Sequence, residues 1–176
     1  MTKKISSIKG PLIAVAILLS GCSNASDEGY TAGDIGGVNH TSSAINYVKV
    51  NGYGGPNISP FGEGGGYCCI QLPDKWKPGL KARIEWETDP NPLEEIPMKK
   101  EGFGYEEEAY AQHKAKYQKH SAIVDIPQYG QERCGLTVHF LPCNQVKVTT
   151  VCSGYGTPNY PIKEPLKMKE PASCPA

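Results

Sequence analysis

The sequence predicts an α+β domain, mainly antiparallel β with one α-helix and stapled by disulfides. Apolar and polar residues alternate over several short runs, the period-two signature of half-buried strands. Only one stretch, residues 105–120, carries helical spacing. Beyond residue 22 the cysteines form an even set of six: Cys68, Cys69, Cys134, Cys143, Cys152 and Cys174. An even set in a short exported domain reads as a disulfide framework. The zinc alternative lacks paired C-x-x-C spacing, so no metal is expected.

Each element has a local reason. Residues 45–50 form a short strand ending at Asn51-Gly52, a hairpin signal. Residues 67–72 form another, which carries the adjacent cysteines and stops at Pro73. Leu80, Ala82, Ile84 and Trp86 alternate with Lys81, Arg83, Glu85 and Glu87, the clearest half-buried strand in the chain. In the helix, Tyr105, Ala109, His113 and Tyr117 share one face at i, i+4 spacing. Glu106, Glu107 and Glu108 come early and Lys114, Lys116 and Lys119 late, which complements the helix dipole. That charge pattern is expected to be a solvated face rather than a ligand site. Ala122, Val124 and Ile126 make one more strand, closed by Pro127.

The last two strands allow one disulfide to be argued. Leu136, Val138 and Phe140 share one face, and Val146, Val148 and Thr150 share another, with a short Pro142-Cys143-Asn144 turn between. A three-residue loop sets Phe140 opposite Val146 and Val138 opposite Val148. The same register puts Cys134 opposite Cys152, and a slip by one residue would pair unlike faces. A Cys134–Cys152 bridge closes a loop of about 19 residues, worth roughly 3 kcal/mol in the chain-entropy model.

The chain starts with Lys3, Lys4 and Lys9, an uncharged apolar run over residues 11–19, and then Ser20-Gly21-Cys22. This is the layout of a secretory signal peptide, and the apolar run is far shorter than the ~20 residues of a membrane span. The ending resembles the lipobox of bacterial lipoproteins. That resemblance implies cleavage before Cys22, lipidation of its thiol, and firm anchoring by several acyl chains. Ser23 stands where an aspartate would resemble an inner-membrane retention signal, so the expected location is the periplasmic face of the outer membrane. Residues 1–21 are then the signal, 22–37 the lipidated cysteine and a flexible linker, and 38–176 a single domain. The whole chain has 18 basic and 18 acidic residues. Loss of three lysines leaves 15 against 18, a net charge of −3 that excludes a basic nucleic-acid face.

Residues 52–66 hold seven glycines without the lysine-serine or lysine-threonine of a phosphate loop. They read as a long irregular loop, a class that often carries binding. Tyr53, Phe61 and Glu63 are its candidate partner-binding residues. Catalysis finds little support. Val151 stands where a nucleophile elbow at Ser153 needs glycine. His113 and His120 have no third ligand placed beside them. His139 lies on the strand face opposite its apolar neighbours, as a solvent-facing or hydrogen-bonded structural residue. His40 falls in a turn before the first strand, and Cys68 and Cys69 are each expected to bridge elsewhere.

Five runs carry a family resemblance: Asn39-His40-Thr41, Gly64-Gly65-Gly66-Tyr67-Cys68-Cys69, Leu72-Pro73-x-x-Trp76-x-Pro78-Gly79-Leu80, Val138-His139-Phe140-Leu141-Pro142 and Pro158-Asn159-Tyr160-Pro161. Together they resemble an uncharacterised proteobacterial lipoprotein family, a domain of unknown function. Some members are similar to immunity lipoproteins encoded beside type VI secretion lipase effectors. The resemblance implies a periplasmic, lipid-anchored, non-catalytic protein that binds and neutralises a secreted lipase. It implies no cofactor, and the only site residue it transfers is Cys22. The alternative is an envelope lipoprotein with a ligand-binding or structural role.

Overall fold

The computed structural model describes residues 29–175. The expected signal peptide and Cys22 lie outside the described residues. Eight strands and one helix follow in order: β1 (Tyr30–Asn39), β2 (Ala44–Val50), β3 (Tyr53–Gly54), β4 (Glu63–Pro73), β5 (Lys81–Asp89), α1 (Glu107–Lys114), β6 (Gln118–Asp125), β7 (Leu136–Leu141) and β8 (Gln145–Thr149). They form two four-stranded sheets, ordered β4-β1-β7-β8 and β3-β2-β5-β6. All neighbours are antiparallel except β1 and β7, which run parallel. A parallel pair needs a long crossover. Here the intervening chain builds β4 and the whole second sheet.

One core lies between the sheets. Ile35, Ile70, Leu72, Val138 and Phe140 from the first sheet meet Ile45, Val48, Val50, Ile84 and Trp86 from the second. The Trp86 and Phe140 rings, one from each sheet, are 5.8 Å apart. The expected fold class therefore holds: antiparallel-rich β with a single helix in one domain. Strand β5 follows its alternation, with Ala82, Ile84 and Trp86 buried and Lys81 and Arg83 exposed. The β7–β8 hairpin has the register that the alternation predicts, Phe140 opposite Val146 and Val138 opposite Val148. Cys134 and Cys152 are joined at its open end, Cα atoms 4.9 Å apart.

Three expectations need correction. The stretch to residue 37, read as linker, contains most of β1, which is a central strand between β4 and β7. Its glycines are there for close approach rather than flexibility. A Cβ on Gly37 would run into Ile58, and one on Gly33 into the Gly135 backbone. The helix is half the expected length, because residues 118–125 pair with β5 along its entire extent, from Thr88↔Gln118 to Lys81↔Asp125. An eight-residue ladder with Ala122 and Val124 packed on the core outweighs weak helix propensity. The glycine-rich stretch is not wholly irregular, since β3 and the start of β4 lie inside it.

Candidate functional site

Strand alternation sends Val138 and Phe140 into the core and His139 to the other face of the first sheet. That face is covered. Residues 151–175 form no helix or strand and lie across it as a strap. Disulfides fasten both ends, Cys152 to Cys134 and Cys174 to Cys143. With those four sulfurs paired, neither Cys68 nor Cys69 bridges to any of them, which corrects the expectation that each bridges elsewhere. Glu170 cannot join Cys143 and Cys174 in holding a metal while those two sulfurs are bonded together.

Under the strap lies a chain of hydrogen bonds whose direction can be assigned. His40 and His139 are both fully buried, and Tyr160 nearly so. The Pro165 carbonyl can only accept, so His40 Nδ1–H donates to it, at 2.8 Å. A neutral His40 then accepts at Nε2 from His139 Nδ1–H, at 2.8 Å. His139 Nε2 in turn accepts from the Tyr160 hydroxyl, at 2.7 Å. Tyr155 completes the enclosure, its ring 5.5 Å from His40 and 5.6 Å from His139. Burial pushes the His139 pKa down to about 3 and the Tyr160 pKa up to about 12. Both groups are neutral across the physiological range. His40 follows β1 rather than preceding the first strand, and His139 is the hydrogen-bonded structural residue of the two alternatives expected.

Beside this relay opens a cleft of about 230 Å³. Its floor includes Asp34, Gly36 and Thr137, and its walls are the Gly64–Gly66 backbone, Tyr155 and Tyr160. The proposed contact residues are distributed around it unevenly. Glu63 lines the cleft and is exposed on β4. Tyr53 is exposed on β3, the edge of the other sheet, which adjoins β4 on the same side of the sandwich. Phe61 is half-buried in a turn with φ 50°, its N–H donating to the Thr41 carbonyl at 3.1 Å.

A second histidine cluster lies on α1, whose Glu107, Glu108 and Lys114 are exposed, as the solvated-face expectation for its charges has it. His113 is buried and bonded at Nε2 to Asp89, 2.9 Å, and at Nδ1 to Glu94, 2.8 Å. Its pKa is raised, first by the Glu94 hydrogen bond and further by Asp89, against the opposing effect of burial. Lys116 joins Glu94 at 2.5 Å, and the Tyr117 ring stands edge-on to His113 at 5.4 Å. Periodicity had marked the His113 and Tyr117 face correctly. Of the carboxylates that meet it, Asp89 ends β5 and Glu94 lies in the loop after it, positions that no local pattern could place there.

The family described as protein of unknown function (DUF3304) matches residues 38–148, more than half of the chain. The chain belongs to this family. Its DUF3304 region includes His40 and His139 and stops before the strap that carries Tyr160. No curated protein and no solved structure matches the chain. Within the fold, three of the five resemblance runs meet in the relay through His40, His139 and Tyr160, and the glycine run forms the cleft wall. Those residues were legible as a motif. Their contact was not, because it spans 99 residues between His40 and His139.

Proposed function

We propose that this DUF3304 protein is exported, anchored through Cys22 and acts by binding, as an immunity-type inhibitor of a secreted lipase. The observation that supports this most is the two disulfides, Cys134–Cys152 and Cys143–Cys174, that pin the strap at both ends. Such a framework suits an oxidising compartment and holds a binding surface preorganised, which lowers the ordering cost of association. The buried histidines fit the same reading, since neutral rings locked in a relay brace the strap rather than serve a reacting group. Anchoring at the membrane surface raises the local concentration against an enzyme that attacks lipids there. The contact face in this reading is the adjoining β3–β4 side, with Tyr53, Phe61 and Glu63.

The deciding experiment is co-expression with the neighbouring secreted effector directed to the periplasm. The lipidated protein should restore growth, the Cys22→Ala form should do so less well, and the purified domain should suppress lipase activity in a stoichiometric complex. Globomycin should cause the uncleaved form to accumulate. The combined Tyr53→Ala, Phe61→Ala and Glu63→Lys variant should weaken the complex. No complex with the effector would sink the immunity reading. The cleft of about 230 Å³ favours a second reading, an envelope lipoprotein that binds a small ligand beside Tyr155 and Tyr160.

A further inference from the structure

Residues 90–117, between β5 and β6, leave the sandwich and return, and their tip has an unusual surface. The tip is a small hairpin. Met98 is bridged to Tyr105, Lys99 N–H donates to the Gly104 carbonyl at 2.9 Å, and Glu106 N–H donates to the Pro97 carbonyl at 2.8 Å. Gly102 (φ 85°) and Gly104 (φ 95°) make its turn, a conformation that favours glycine. An ion pair of 2.7 Å between Lys99 and Glu107 ties it to α1, and the Tyr105 and Tyr110 rings stack at 5.7 Å. The His113–Asp89–Glu94 cluster fixes its base to the sheet.

On this fastened hairpin Phe103 is 100% exposed and Met98 60% exposed. Tyr105 and Tyr110 are exposed as well. A large aromatic ring held wholly in water by a hydrogen-bonded turn is displayed, not dangling. Aromatic residues presented in this way are the usual anchors of protein interfaces. The charges around it select the partner. Residues 95–108, beyond the Glu94 cluster at the base, contain five glutamates and two lysines, a net charge of −3. An anionic bilayer would repel that surface, whereas a basic rim would attract it. We infer that Phe103 and its hairpin neighbours dock into an apolar pocket, ringed by lysine or arginine, on a protein partner. This rests on the binding reading above and deepens it by naming a second contact surface, on a different segment from Glu63.

Three measurements test it. With the purified lipase effector, Phe103→Asp should weaken binding by about tenfold or more. The unfolding midpoint should stay unchanged, because the ring touches nothing. If the wild-type protein binds and Phe103→Asp binds equally well, the inference is overturned while the immunity reading stands. If the wild-type protein does not bind the effector, the immunity reading fails, and photocross-linking decides the docking surface. For that, benzoylphenylalanine replaces Phe103 in the full-length protein in its native cells. A protein adduct that is lost when Glu101, Glu106 and Glu108 are all changed to lysine supports the inference. No adduct, or an adduct indifferent to those changes, overturns it. Finally, Phe103→Trp is titrated with vesicles of phosphatidylethanolamine and phosphatidylglycerol against the emission of the native protein. A blue shift assigns the hairpin to lipid and also overturns it.

Discussion

Of the three buried histidines among the described residues, His139 and His113 are treated in opposite ways. His139 lies under a strap stapled at both ends, and its bonded partners are a neutral imidazole and a phenol. No carboxylate is bonded to the ring, and burial outweighs the pull of Glu164 and keeps it neutral. His113 lies between Asp89 and Glu94 at the base of an unstapled projection, and the two carboxylates hold its proton more firmly than water does. Burial by itself therefore does not decide the charge of a histidine; the partners that tertiary contact brings to it do. The neutral cluster braces a sealed face, and the charged one anchors an open one.

The largest test of this contrast is acid. Between the ordinary histidine value of 6.5 and a folded value of about 3, the unfolded chain takes up a proton at His139 that the folded one refuses, costing roughly 5 kcal/mol of stability. Urea unfolding should show that loss growing as pH falls, and nuclear magnetic resonance should show a neutral His139 ring at pH 5. A protonated ring at pH 6 would break the contrast.

Loosening the strap should come next. Replacing Cys143 and Cys174 by serine opens a loop whose ends are 31 residues apart and should cost roughly 3–4 kcal/mol. It should also raise the His139 pKa toward its ordinary value as water enters. A His139 titration that ignores the lost bridge would show that the strap is not what seals the face.

Tyr160→Phe has a smaller effect. It removes the donor to His139 Nε2 and leaves a buried acceptor unpaired, at a cost of about 1–3 kcal/mol by denaturant unfolding.

The smallest effect belongs to the charged cluster. Because the His113 pKa is raised, its charge stabilises the fold fully below 6.5, and that contribution fades as pH rises through the higher folded value. The slope is opposite in sign to that of His139. Glu94→Gln removes the largest cause of the shift, so the His113 titration should move back toward 6.5 and the alkaline slope should flatten. Lys116 also loses its partner in this variant, while Asp89 remains.

Much of the sandwich could be read from the order of residues. Alternation placed Ala82, Ile84 and Trp86 on one face, set the β7–β8 register, and through it brought Cys134 opposite Cys152. Side-chain period and strand pairing are local, so a local pattern carries them. Strand β1 was illegible because its glycines resemble a linker until β4, β7 and Ile58 close around them. Residues 118–120 were misread because pairing with β5, which lies some thirty residues earlier, overrides their helical spacing. Alternation did assign His139 to the face away from the core. Only the tertiary structure decided that a strap covers that face and that His113 meets two carboxylates. A residue's facing follows from its own strand, but its dielectric and its partners come from chain segments far away in sequence.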